Sequence, residues 1–202
     1  MENNFSPNKE KHLRWKNAIL NERKTEILPG SFIYYVTKKY VTNFDQALVF
    51  GDACQVNSKF LGENAEFKHI DNVDSSPLVL DHYYDSNKMN PILSSFENFQ
   101  IQENTYDLIY GKSITFIEKD KLPEFLREIS AGLKQDGVFS AVWHLPKNTV
   151  MSESNWEKTI LEKLINETGL NLIYEKELEE NIINLLGKEA YRHEWYIIMK
   201  KD

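Results

Sequence analysis

The stretch ALVFGDACQVNSKFL, residues 47–61, passes from an apolar run through a turn into a mixture of polar and apolar residues. Ala47, Leu48, Val49 and Phe50 show no alternation, which reads as a strand buried on both faces, the kind found in parallel sheets. Strand, tight turn and helix together form the unit of doubly wound sheets, and that turn lies where such sheets receive ligands. A ligand reaches bare backbone only past small residues. Here the turn offers Gly51 and Ala53 but also Asp52 and Gln55.

Working outward, the alternation continues. Residues 7–24 are helical by composition, with Trp15 as an anchor, and LPG at 28–30 breaks them. SFIYYVTKKYV (31–41), with Ser31 as N-cap and Phe32, Tyr35, Val36 and Lys39 at helical spacing, suggests a second helix, although its β-branched and aromatic content leaves a strand open. QALVF (46–50) is a strand, 55–61 a helix and EFKHIDNV (66–73) a strand; Ser76 or Pro77 opens a helix through Leu80 and Tyr83. PILSSF (91–96) and YDLIYG (106–111) are strands.

DKLPEFLREISAGLK (120–134) is a helix, since Leu122, Phe125, Leu126, Ile129 and Leu133 recur at three–four spacing. QDG (135–137) reads as a turn and VFSAVWH (138–144) as a strand. SESNWEKTILEKLINETG (152–169) is a helix with a serine N-cap, Trp156, Ile160, Leu161 and Leu164 on one face, and Gly169 as its stop. LNLIYEKE (170–177) and HEWYIIMKK (193–201) are strands, with an acidic helix expected near 178–187 between them. The pattern predicts an α/β three-layer sandwich whose sheet is mostly parallel and ends in an antiparallel edge pair.

At 202 residues a single domain is expected, and 41% hydrophobic content is enough to fill its core. A net charge of −7 argues against nonspecific nucleic-acid binding, and the basic residues near the start are interleaved with Glu10, Glu22 and Glu26. The single cysteine, Cys54, permits no internal disulfide. No apolar run approaches the ~20 residues that span a bilayer, and no signal core is visible, so a cytoplasmic protein without a membrane partner is expected. His12, His69, His82, His144 and His193 show no metal-ligand spacing, so no metal is expected. Neither a nucleophile elbow nor a phosphate-binding lysine loop occurs.

Asp74 lies 23 residues after Gly51, at the end of the second strand. An acid about 20 residues beyond the first turn can accept both hydroxyl protons of a ribose. Before Ser75, Ser76 and Pro77 it is also an ordinary turn former.

Five strings in one order now resemble the Rossmann-like S-adenosylmethionine-dependent methyltransferases. LVFGDACQVNSKFL resembles that family's first loop, an acid, an apolar residue and then Gly-x-Gly-x-Gly; VDSSPLVL (73–80) resembles its second strand end. IQENTYDLIYG (101–111), LPEFLREISAGLKQDGVFSAV (122–142) and RHEWYIIMKK (192–201) are similar to its fourth strand, the passage into its fifth, and its last strand. The resemblance covers residues 44–201 and implies a seven-stranded, mostly parallel sheet with an antiparallel last strand, as one methyltransferase-like domain spanning 1–202. Residues 1–43 would be N-terminal cap helices over the Rossmann-like core of 44–202.

It further implies S-adenosylmethionine as cofactor, held by Gly51, Asp52, Ala53, Asp74, Ser75, Ser95, Phe96 and Tyr110. Methyl transfer is an in-line displacement in which positioning supplies most of the rate and a general base is optional. Groups at the ends of strands four and five (Tyr110, Lys112, Ser113, Trp143 and His144) would face the acceptor, with His144 and Tyr110 as catalytic candidates and Tyr34 or Tyr35 able either to close over a ligand or to pack in the core. YGKS at 110–113 lacks the Asn-Pro-Pro-Tyr type string of nucleobase and glutamine N-methyltransferases, which sets those substrates aside. RHEWYIIMKK resembles the last strand of many small-molecule methyltransferases, which implies a small-molecule acceptor, and a monomer or homodimer is expected.

The chain departs from the family pattern at the pocket. Val49 stands for the usual acid, Ala53 and Gln55 for two glycines, and Ser95, followed by Phe96, for the acid after strand three. Gln55 is the costliest if its position needs a positive φ. The loop therefore reads as remodelled, and the alternative is a methyltransferase-like protein that has lost cofactor binding and acts as a binding or regulatory module.

Overall fold

The computed structural model describes residues 31–53, 55–80, 87–111, 114–147, 156–183 and 189–202. The predicted first helix (7–24), Cys54, Lys112, Ser113 and the Ser152 N-cap lie outside the described residues. In chain order the elements are α1 (Ser31–Tyr40), β1 (Gln46–Phe50), α2 (Val56–Glu63), β2 (His69–Asp74), β3 (Met89–Leu93), β4 (Tyr106–Gly111), α3 (Leu122–Gly132), β5 (Leu133–His144), α4 (Lys158–Asn166), β6 (Asn171–Ile183) and β7 (Glu189–Lys200), with single 3-10 turns at Pro77–Leu80, Phe96–Asn98 and Ile114–Phe116.

The seven strands form one sheet in the order β3-β2-β1-β4-β5-β7-β6. β1 to β5 pair in parallel, and β7 runs antiparallel to both β5 and β6. Helices cover both faces. Ile33 and Val36 of α1 and Phe60 and Leu61 of α2 pack with Ala47, Val49, Leu108 and Ile198 on one side. On the other, Phe125, Leu126 and Ile129 of α3 and Leu161 and Ile165 of α4 pack with Leu48, Phe50, Ile109, Phe139, Trp143 and Trp195. This is the three-layer sandwich expected, and Ala47, Leu48, Val49 and Phe50 are all fully buried, as a central parallel strand requires.

Several boundaries differ, each for a physical reason. The helix expected near 178–187 is strand where described: β6 continues to Ile183 and pairs with β7 down to Ile183↔Glu189. Cross-strand pairing overrides the helical propensity of its glutamates. QDG is not a turn between elements but lies in an irregularity inside β5, where Asp136 takes φ 63° and the pairing with β4 jumps from Tyr106↔Leu133 to Leu108↔Val138. α4 starts only at Lys158, with Trp156 anchoring the preceding segment through its indole N–H on the Thr115 carbonyl at 3.0 Å. Ile160, expected on the buried face, is 46% exposed; Ile165 replaces it. After β2 the described residues hold one 3-10 turn rather than the start of a longer helix, and β3 ends at Leu93, with Phe96 opening a 3-10 turn. Among the described residues no helix is long and apolar enough to cross a membrane.

Candidate functional site

The order 3-2-1-4-5 reverses between β1 and β4, and helices leave β1 and β4 toward opposite faces, so a crevice opens at the carboxyl edge of these strands. Gly51 begins it at φ 76°, its N–H bonded to the Val73 carbonyl at 2.9 Å. Asp52 follows, 5% exposed, and accepts both the backbone N–H and the hydroxyl of Ser58 at 2.8 Å. It therefore caps the first turn of α2, a task the N-cap residue Gln55 leaves undone. Burial pushes the Asp52 carboxyl up to about 6, and the bonds from Ser58 hold it from rising further.

Gln55 sits in the left-handed region at φ 60°, ψ 17°. The glycine-like conformation survives without the glycine, at a cost of roughly 1 kcal/mol. Neighbouring bonds hold it there: its N–H reaches the Asp52 carbonyl at 2.8 Å, and its side-chain amide donates to the Val79 carbonyl at 2.6 Å. That side chain is fully buried and ties the first loop to the Pro77–Leu80 turn. Ala53 packs between Val56 and Leu78. Asn72 donates from its side-chain amide to the Asp52 carbonyl at 3.0 Å, while its own Oδ1 is buried with no bonded partner.

Asp74 joins the two loops. Its carboxylate accepts the Ser76 N–H at 2.7 Å and the Ala53 N–H, and burial raises its pKa against these bonds. Beside it an open cavity of about 150 Å³ is lined by Ser75, Ser95, Phe96, Glu97 and Phe116. Phe96 rests edge-on against Phe50 with ring centres 5.4 Å apart. Two phenyl rings and three polar side chains thus face one space at the ends of β2 and β3 and beyond β4. Glu97 was not anticipated; it sits two residues past Ser95 because the chain bends into the Phe96–Asn98 turn, and the carboxylate sought after strand three enters the cavity there.

Other sequence-predicted residues lie at the ends of β4 and β5, beside the middle of β7. Tyr110 is buried, and its phenol pKa is driven up by burial and by the charges of Asp52 and Glu194. His144 ends β5 opposite Glu194, its Nε2 3.5 Å from the Glu194 carboxylate. Its Nδ1 is buried without a partner, and its ring meets Phe116 edge-on, centres 6.2 Å apart. The Tyr196 hydroxyl donates to the other Glu194 oxygen at 2.5 Å. Burial alone would raise the Glu194 pKa, but the bonds from His144 and Tyr196 outweigh it and leave that carboxyl below its ordinary value. Trp143 points into the core with its indole nitrogen unpaired. Of the two α1 tyrosines, Tyr34 is half exposed and Tyr35 packs on Tyr40 and Tyr174.

Asp107, which survives from the family's strand-four string, stands at the opposite edge. It accepts the backbone N–H groups of Asp45 and Gln46 and the Lys134 ammonium at 2.9 to 3.1 Å. It pins the start of β1 and has no share in the crevice.

No protein-family model matches the chain, and no curated protein matches its sequence. Solved structures do. A TehB-like S-adenosylmethionine-dependent methyltransferase from Corynebacterium glutamicum superposes with a TM-score of 0.70 at 14% identity, over 96% of this chain and 100% of that one. An S-adenosylmethionine-dependent methyltransferase from Mesorhizobium loti gives 0.68 at 8% identity, over 85% and 99%. A Haloferax volcanii protein solved in complex with the Trm112 methyltransferase activator gives 0.67 at 13%, over 84% and 88%. At such identities the likeness is one of architecture: the chain has the fold of the Rossmann-like S-adenosylmethionine-dependent methyltransferases.

Proposed function

We propose that this chain, as a single domain over 1–202 with residues 1–43 as its cap, is an S-adenosylmethionine-dependent methyltransferase acting on a small molecule. The observation that carries this reading is the open cavity at the carboxyl edge, walled by Phe96 and Phe116 and rimmed by Ser75, Ser95 and Glu97. A flat heterocycle suits the two rings, the hydroxyls and Glu97 suit its polar edge, and Asp74 beside Ser75 suits a ribose. Gln55 keeps the left-handed turn that lets the first loop curl as a glycine loop does. Gly51, Asp52, Ala53 and Tyr110 would surround the amino-acid end of the cofactor, which when bound supplies an activated methyl group.

Within the chain itself, Glu194 holds His144 through Nε2, leaving Nδ1 as the group that can take a proton from an acceptor hydroxyl, thiol or amine. Tyr110 is buried on the neighbouring β4, and its pKa, raised by burial and by the charges of Asp52 and Glu194, keeps it a neutral hydrogen-bonding phenol.

Calorimetric titration of the full chain with S-adenosylmethionine and with its demethylated product tests the reading. Micromolar binding of either is expected. Silence with both ligands at high micromolar protein would leave only the binding-module alternative on this fold.

A further inference from the structure

We propose that Glu177, Glu179 and His193 form a binding site for a divalent transition-metal ion of the zinc type on the β6–β7 hairpin. His193 stands directly across from Glu179 in the antiparallel register, and Glu177 lies two residues away on the same face of β6. One ligand atom from each of the three falls within 4.8 Å of the others. His193 Nε2 is 2.7 Å from the Glu177 carboxylate and 3.3 Å from that of Glu179. Tetrahedral zinc with bonds near 2.1 Å spaces its ligands by roughly 3.4 Å, so the cluster accepts an ion with only small side-chain shifts.

Two further features distinguish it from a chance group of surface acids. First, His193 is nearly buried and its Nδ1 lies 2.6 Å from the Pro146 carbonyl. A carbonyl only accepts, so Nδ1 carries the proton and the ring is fixed by a backbone oxygen, the arrangement found behind metal-bound histidines. Nε2 then faces two carboxylates and must hold either a proton or a cation. Second, the charge on this face leaves room for a divalent ion. Glu175, Glu177 and Glu179 bring three negative charges and Glu162 of α4 a fourth, while Lys158, which pairs with Glu162, Glu175 and Glu177, brings one positive. With His193 neutral these groups sum to −3. Tyr191 and Trp195 are uncharged and bond to Glu179 and Glu175. The imidazole nitrogen selects a borderline transition ion over calcium or magnesium, which prefer oxygen alone.

Because Pro146 follows β5 within two residues of His144, the ion would clasp the hairpin to the strand that carries His144.

Zinc chloride titrated into the full chain by calorimetry tests this. One ion per chain at micromolar affinity is expected. Glu179→Gln and His193→Gln should each weaken binding at least tenfold, and Glu179, half exposed, can lose its charge without unfolding the chain. Absent binding, or an affinity that neither variant alters (zinc held elsewhere, at Cys54 for example), would overturn the proposal.

Discussion

The two edges of the sheet use carboxylates in opposite ways. At the amino edge Asp107 and Asp45 share Lys134, Asp45 also meets Lys68, and Asp107 caps two backbone N–H groups. The bonds from Lys68 and Lys134 draw the Asp45 pKa down. At the carboxyl edge Asp52 and Asp74 have no cationic partner among the described residues and are raised by burial, and the same edge holds two buried polar atoms with no bonded partner, Asn72 Oδ1 and His144 Nδ1. One edge is electrostatically closed and serves stability. The other holds unspent hydrogen-bonding capacity, which is what a ligand site requires.

Breaking the closed edge should have the largest effect on folding. Asp107→Ala removes an acceptor from two N–H groups and a lysine, and about 3 kcal/mol of stability should be lost in chemical denaturation, with cofactor affinity of the folded protein unchanged. A loss below ~1 kcal/mol would mean that water takes over those bonds.

Asp52 sharpens the contrast through pH. Its folded pKa lies above its unfolded one, so the native state binds the proton more tightly and stability falls as pH rises from about 4 through about 6. Asp52→Asn should flatten that part of the stability–pH curve by on the order of 2 kcal/mol relative to the parent chain. Parallel curves for the two proteins would show that the buried carboxylate is better solvated than its position implies.

The smallest expected effect belongs to Asp74. Asp74→Ala should weaken S-adenosylmethionine by about tenfold, the loss of one charge-assisted bond, and lower stability less than Asp107→Ala does. Equal affinity would remove Asp74 from the ligand's surroundings.

Much of the architecture was legible because burial and periodicity are local signals. QALVF and YDLIYG match β1 and β4 residue for residue, and LPEFLREISAG of the helix expected over 120–134 is α3, whereas Leu133 and Lys134 at its end open β5. The hairpin was not, since whether ELEENII is helix or strand depends on a partner strand distant in sequence. The site divides the same way. Gly51, Asp74 and Ser95 could be placed by spacing from strand ends. Glu97 enters the cavity only because the chain turns at Phe96, and Glu194 meets His144 only through the β5–β7 register. The left-handed Gln55 was foreseeable as a requirement of its position, but the Val79 carbonyl that steadies it was not. For the same reason histidine spacing along the chain gave no hint of Glu177, Glu179 and His193, which antiparallel pairing alone brings together.

The central claim is that the carboxyl edge alone receives the ligand, and mapping amide chemical shifts on adding S-adenosylhomocysteine tests it most directly. The account predicts shifts at Gly51, Ala53, Ser75, Ser95 and Glu97, with Gln46, Thr105 and Asp107 at the far edge unmoved. A spectrum that stays still, or one that moves only at the far edge, would contradict it.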